Sequence, residues 1–284
     1  MADSRAVLIS GASTGIGRAT ALRLDRAGWR VFAGVRKESD GASLRADGSA
    51  RLRPVTLDVT RQHTIDGVHQ ELQGMLGDQG LAGLVNNAGI AVGGPVEFLS
   101  LDAYREVMEV NYFGHIAVTQ KFLPMVRRGG GRVVFTGSVG GKISNAFMSC
   151  YAGTKFALEA LTDALRLEVA PHGVKVSLIE PGAIRTPMLA RVEETKDELL
   201  DAIPPEGVPL YRDAARAALD GFIEFTKNAV DPDEVAKAIE HALTARRPKT
   251  RYLVGADAKL NAFLAWILSD RVLDFAKRRM MARK

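Results

Sequence analysis

The sequence predicts an α/β fold with a parallel sheet of about seven strands and helices on both of its faces. Three observations carry that reading. Short apolar runs alternate with longer stretches of helical periodicity along most of the chain. The first run leads into a glycine-rich turn, Ser10-Gly-Ala-Ser-Thr-Gly-Ile-Gly17, that opens a helix. A tyrosine and a lysine, Tyr151 and Lys155, stand four residues apart at the head of an amphipathic run ending at Val169. Residues at that spacing share one helix face.

The composition bounds the function. A chain of 284 residues, 46% hydrophobic and 25% charged, holds one large α/β domain or two small ones, and is neither disordered nor membrane-embedded. The apolar run Phe263–Leu268 is too short to span a bilayer. The segment Met1–Arg5 has no signal-peptide pattern, so a soluble cytoplasmic protein is expected. One cysteine, Cys150, excludes an internal disulfide framework and a cysteine-rich metal site; a small, buried thiol is the expectation. The net charge of +5 raises the question of nucleic acid, but the basic residues are scattered. Their one concentration, Ala276 to Lys284, reads as a solvated helix end. Neither nucleic acid nor stable membrane insertion is expected.

Ala6–Ile9 is a strand buried on both faces, and Arg18–Ala27 the helix after the turn. The spacing Gly11, Gly15, Gly17 lets the backbone turn tightly and approach a pyrophosphate, whose charge the helix N-terminus meets. Arg30–Val35 is the second strand. An acid at its end would favour the ribose hydroxyl of NAD; here Val35 is followed by Arg36, whose forked donors suit the 2′-phosphate of NADP. Arg36 otherwise only starts a polar loop running to Gly48.

Leu52–Leu57 is the third strand, ending at Asp58-Val59. Asp58 either accepts from an adenine amino group or is a plain turn residue. Residues 62–76 read as a helix, and Leu81–Val85 as the fourth strand, followed by Asn86-Asn-Ala-Gly89. Those two amides bind neighbouring backbone and leave room for a ribose, with Asn86 tying adjacent strands together. In the helical stretch Leu101–Met125, Asn111 is a polar amide among apolar residues. It either caps a carbonyl or holds a water that relays protons. Gly131–Phe135 is the fifth strand, and Ser138 lies just beyond it, at the carboxyl edge where open α/β sheets bind ligands. A phenol titrates near pH ~10, and a neighbouring cation would lower that value and let Tyr151 exchange a proton with an alcohol or carbonyl oxygen. His172, in Pro171-His-Gly173, reads as a helix stop. Val174–Ile179 is the sixth strand, Arg212–Lys227 a helix, Asp231-Pro-Asp-Glu234 a capped helix start and Arg251–Val254 the last strand.

Taken together, the Gly11–Gly15–Gly17 turn, Asn86-Asn-Ala-Gly89, Asn111, Ser138, Tyr151-x-x-x-Lys155 and Pro181-Gly182 with Thr186 resemble the short-chain dehydrogenases/reductases over essentially the whole chain. The resemblance implies a single Rossmann-like, doubly wound domain over residues 1–284, a nicotinamide cofactor, and a catalytic set of Asn111, Ser138, Tyr151 and Lys155. It implies cofactor contacts from Gly11, Ser13, Thr14, Gly15, Ile16, Gly17, Arg36, Asp58, Val59, Asn87, Ala88, Gly89, Tyr151, Lys155, Pro181, Gly182, Ile184 and Thr186, the last on the nicotinamide carboxamide. No metal is implied. NADP(H) is favoured and NAD(H) stays open, because Ala12 and Ser13 stand where NADP-dependent relatives often carry a basic residue.

By the same resemblance, residues 187–231 form a C-terminal lid over the substrate. Met188, Leu189, Phe222 and Phe225 there line an apolar pocket or serve as ordinary core. The stretch 257–282 is expected to be one terminal helix. The C-terminal region, with Thr250–Gly255, is similar to the steroid- and retinol-type branch, which implies a bulky apolar alcohol or ketone. The family's habit implies a homodimer or homotetramer. A nucleotide-binding redox sensor without catalysis is the rival from another class.

Overall fold

A computed structural model describes residues 5–281. The leader-free reading of residues 1–4, and the last three residues of the basic tail, lie outside the described residues. Strands β1 Ala6–Ile9, β2 Arg30–Val35, β3 Leu52–Thr56, β4 Gly83–Asn86, β5 Arg132–Thr136, β6 Lys175–Pro181 and β7 Arg251–Val254 form one parallel sheet in the order β3-β2-β1-β4-β5-β6-β7. The connections carry α1 Gly15–Arg26, α2 Glu38–Asp47, α3 Gln62–Leu76, α4 Leu101–Met108, α5 Gly114–Arg128 and α6 Ser149–Val169. After β6 follow α7 Pro187–Glu194, α8 Lys196–Asp201, α9 Val208–Thr226 and α10 Pro232–Thr244, and after β7 come α11 Ala256–Ile267 and α12 Asp270–Met281.

Both faces of the sheet are covered, which is why its strands read as unbroken apolar runs. Leu8, Phe32, Leu84, Phe135 and Leu178 bury one face against Leu72 of α3, Phe122 of α5 and Leu158 of α6. Their neighbours Val7, Ile9, Val31, Val85, Val134 and Ile179 bury the other against Leu24 of α1 and Val235 and Ile239 of α10. Strand order reverses between β1 and β4, so their carboxyl ends, the glycine turn and Asn86–Gly89, flank a topological switch point.

Three expectations are corrected. The polar loop from Arg36 to Gly48 contains α2, held by fully buried Leu44 and by Gly41, where a Cβ would lie 3.1 Å from Pro54 Cβ. The stretch 101–125 is helical throughout, but Glu109–Phe113 is wound as a π turn between α4 and α5. The terminal segment is two helices, α11 and α12. Leu268 takes extended backbone at ψ 142°, and the Ser269 carbonyl accepts from the Val272 and Leu273 N–H groups to start the second. Residues 187–226, within the segment expected to cover the substrate, fold as α7, α8 and α9 around a small core of Leu200, Ile203 and Ala215. It docks on the 95–98 segment through Tyr211, whose hydroxyl donates to Glu97 at 2.7 Å and whose ring meets Phe98 edge-on.

Candidate active site

The glycine turn is shaped by close approach. Gly11 has φ 65°, and a Cβ there would lie 2.7 Å from Ala88 Cα. Gly15 has φ 54° and lies beneath Thr186, whose Cγ2 would be 3.0 Å from an added Cβ. At Gly17 a Cβ would collide with the Gly11 carbonyl oxygen and sit 2.6 Å from Asn87 Nδ2. The Thr14 side chain does not cap α1, which leaves the first-turn N–H groups for an anion. Ser13 and Ile16 are half-buried beside it and Thr14 is exposed. This cradle fits a dinucleotide pyrophosphate.

Buried Ser10 braces the turn: its hydroxyl accepts from the N–H groups of Asn87 at 3.0 Å and Ala88 at 3.1 Å. The Asn87 amide donates to the carbonyls of Ser10 at 3.2 Å and Gly11 at 3.0 Å, and its Oδ1 accepts from the Thr136 hydroxyl at 3.2 Å. The strand-tying role expected of Asn86 therefore belongs to Asn87. Asn86 turns instead to α5, donating to Thr119 Oγ1 at 2.8 Å.

At the tip of β2, Arg36 is exposed. Half-buried Asp58 accepts from the Thr60 N–H at 3.0 Å and hydroxyl at 2.8 Å. Burial would raise its carboxyl, but those two bonds and the charges of Arg36 and Arg61 outweigh it and hold the group below the ordinary carboxylate value. Asp58 thus holds the turn through Oδ1. The side chains of Val59 and Ile184 belong to the core, so only their backbone is left to meet a cofactor.

Across β5, Ser138 caps a short turn, Val139–Gly141, with Oγ accepting from the Gly140 N–H at 3.0 Å. The Tyr151 ring and the Ser138 hydroxyl meet over Gly140, where a Cβ would lie 3.5 Å from Tyr151 Cε1 and 3.3 Å from Ser138 Oγ. Burial raises the phenol above its ordinary value, and the Ser138 hydroxyl offsets only part of that. Lys155 Nζ donates to the Thr136 carbonyl at 3.0 Å and lies 5.5 Å from the centre of the Tyr151 ring. Burial pushes this ammonium down to about 8. The phenol therefore stands above its ordinary value and not below it, contrary to the lowering expected from Lys155.

Asn111, in the π turn, is fully buried; Oδ1 accepts from the Ile90 N–H at 2.9 Å, and Nδ2 donates to the Ile90 carbonyl at 2.9 Å and to Thr154 Oγ1 at 3.1 Å. Its side chain caps a loop carbonyl, leaving one lone pair of Oδ1 for a water. Three contributors were not singled out from the sequence. Thr154 links Asn111 to the Tyr151 carbonyl, to which it donates at 2.7 Å. His115 lies 2.7 Å from the Ala88 carbonyl, which can only accept, so Nε2 carries the proton; burial and then the Lys155 charge push this ring down to about 3. Asp257, in the first turn of α11, accepts from the Ala183 N–H at 2.7 Å and abuts Gly182, where a Cβ would strike its carboxylate. It pins the Pro181-Gly182 turn.

Of the four apolar residues expected to line a pocket or serve as core in the C-terminal segment, Met188 and Phe225 are 43% and 44% exposed, and Leu189 and Phe222 are half-buried. Cys150 is buried and its thiol raised by that burial. Among the described residues no group of three or more His, Cys, Asp or Glu could hold a metal, and no helix is long and apolar enough to cross a membrane. His172 ends the turn after α6, before Gly173 at φ 75°.

Comparison with known proteins matches residues 5–197 to the family model described as short chain dehydrogenase. Mouse (Mus musculus) retinol dehydrogenase 5 is 39% identical over 277 residues, 94% of this chain and 86% of that protein. The mitochondrial D-beta-hydroxybutyrate dehydrogenase of Bos taurus is 40% identical over 264 residues, 88% of this chain and 76% of that one. Among solved structures, a short-chain dehydrogenase from Streptomyces avermitilis superimposes with a TM-score of 0.75 at 29% identity, covering 99% of this chain and 96% of the other. One from Burkholderia cenocepacia in complex with NADP does so with a TM-score of 0.73 at 25% identity, covering 99% of each.

Proposed function

This chain belongs to the short-chain dehydrogenase family of NAD(P)-dependent oxidoreductases, and we propose that it moves a hydride between NADP(H) and the CH–OH or C=O carbon of an apolar alcohol or ketone. The observation that carries this is the convergence of Ser138 and Tyr151 over Gly140 beside a buried Lys155, at the sheet edge that also holds the glycine cradle. The nicotinamide supplies or accepts the hydride. Ser138 holds the substrate oxygen, and Tyr151, protonated at neutral pH, donates its proton as a ketone is reduced and takes it back in the reverse direction. Lys155, charged at neutral pH, stabilises the phenolate left behind and contacts the cofactor ribose. Asn111 fastens the π turn and orients the water through which the proton returns. Thr186, over Gly15, holds the carboxamide.

A steroid-, retinoid- or lipid-like substrate is supported by the similarity to retinol dehydrogenases and by the apolar side chains of Met188 and Phe225 on the lid. Arg36, with no acid before it, supports NADP(H). Dependence on NAD(H) is the second reading, favoured by the neutral Ala12-Ser13 pair and by the attraction of Arg36 to Asp58. Exposed Leu101, Phe113, Phe156 and Leu167, along α4, the π turn and α6, support a homodimer or homotetramer.

Parallel fluorescence titrations with NADPH and NADH at fixed salt test the cofactor without a known substrate. Tighter NADPH binding, reversed in Arg36→Asp, is expected and directs a ketone screen with that nucleotide. Tighter NADH binding would transfer the reading to NAD, and binding of neither would overturn both.

A further inference from the structure

Beneath the Ser138 turn lies a second charged cluster that the chemistry above does not use. Glu180, one residue before Pro181 in β6, is 1% exposed. Glu159 lies one turn beyond Lys155 on α6, with its side chain 12% exposed. Lys142, which follows the Ser138 turn, places Nζ 2.7 Å from Glu159 Oε2 and 3.3 Å from Glu180 Oε1. Arg251, at the start of β7, holds Glu159 Oε2 at 3.0 Å and Asp163 Oδ2 at 2.7 Å, and reaches within 3.9 Å of Glu180 Oε1. Arg166 pairs with the other oxygen of Asp163, Oδ1, at 2.6 Å. A cavity lined by Lys142, Glu180, Lys249, Arg251 and Lys259 opens over the cluster.

The two glutamates pose a question of valence. Oε1 of each is buried without a hydrogen bond, Glu180 Oε1 having only its ion pairs to Lys142 and Arg251, and the two carboxyl groups converge on the one Lys142 Nζ. Two ionised carboxylates held that way repel, whereas one proton between them turns the contact into a charge-assisted O–H···O bond. Burial, then the neighbouring Glu159 carboxyl and its charge, raise Glu180 to about 7 against the pull of Lys142. The geometry also connects the pair to the reacting groups. A Cβ at Gly141 would lie 2.8 Å from the Lys155 carbonyl and 3.3 Å from Glu159 Cγ, so the turn rests directly on α6.

We propose that Glu159 and Glu180 share one proton at neutral pH and that this pair, through Lys142, positions the Ser138 turn against Tyr151 and Lys155. Glu180 and Lys142 are then positioning residues for proton transfer, a role that rests on the Ser138–Tyr151 chemistry proposed above. Loss of the shared proton adds a buried negative charge, and Lys142 is the nearest cation able to move toward it, drawing the turn with it.

The proton is read first without substrate or cofactor. Infrared difference spectra of wild type against Glu180→Gln should show a protonated-carboxyl band at acidic pH that disappears as pH rises past neutrality. Glu180 binds its proton more tightly in the folded chain, so its contribution favours folding at low pH and is lost as pH climbs from 4.5 to about 7. Thermal unfolding of wild type should show that fall, and Glu180→Gln should lack it. The positioning role is read in turnover. Lys142→Met should lower kcat about tenfold with cofactor affinity within about twofold, and Lys142→Arg should restore most of it. Glu180→Gln should move the pH profile of kcat by about one unit.

Absence of the carboxyl band together with parallel stability curves would overturn the shared proton. An unchanged pH profile in Glu180→Gln, with unchanged kcat in Lys142→Met, would overturn the positioning. If wild type turns over no alcohol or ketone with either nucleotide, it is the dehydrogenase reading that fails, while the infrared and stability measurements still decide the proton.

Discussion

Lys155 Nζ stands 5.5 Å from the centre of the Tyr151 ring and spends its hydrogen bond on the Thr136 carbonyl, 3.0 Å away. Burial drives both groups toward neutrality, the phenol upward and the ammonium down to about 8. At neutral pH the proton therefore rests on the phenol and the ammonium keeps its charge.

That depressed ammonium has a consequence for stability. Between its folded value of about 8 and its ordinary 10.5, the folded chain has released a proton that the unfolded chain keeps. The Lys155 contribution is therefore unfavourable below about 8 and improves as pH rises toward 10.5. Unfolding curves across that window should show wild type gaining stability relative to Lys155→Met. Parallel curves would mean that the lysine is solvated.

Gly17→Ala tests the cradle. The added methyl has the Gly11 carbonyl and Asn87 Nδ2 in its way, both rigidly tied. A loss of about 3 kcal/mol in denaturant unfolding is expected, with nucleotide binding weakened as well. Gly67→Ala is the control: nothing lies within 4 Å of its added Cβ, and it should gain a few tenths of a kcal/mol up to about 1.

Asp257→Ala removes the acceptor for the Ala183 N–H and the support beneath Gly182. It should cost about 1–2 kcal/mol of stability and weaken nucleotide binding more than Asp270→Ala, which lies at the exposed start of α12. Equal nucleotide affinities for the two variants would detach Asp257 from the site.

What was legible beforehand has a physical pattern. The strands could be read because both faces of the sheet are covered, so each run is apolar without alternation. Helix α3 could be read through Gly67 and Gly74 because both face open space and leave the apolar stripe of Ile65, Val68, Leu72 and Leu76 intact. Helix α2 could not, since only Gly41 and Leu44 are buried in it. The glycine turn, Ser138, Tyr151 and Lys155 were legible because their residue types and spacing are themselves the chemical requirement. Asp257 and Thr154 were not, because each acts through a contact that local sequence does not announce. The carboxylate of Asp257 reaches a backbone N–H 74 residues away. The raised phenol was missed for the same reason: burial is a property of the packed site, and the i, i+4 spacing alone says nothing of it.

The central claim, that Tyr151 supplies the proton for hydride transfer, is tested most directly by Tyr151→Phe in one assay of turnover paired with one nucleotide titration. The ring and its contact with Lys155 are kept and only the hydroxyl is lost. The account predicts that kcat falls by about 10³-fold or more while the cofactor dissociation constant stays within about twofold. Turnover at the wild-type rate would contradict it and send the search for the proton donor elsewhere.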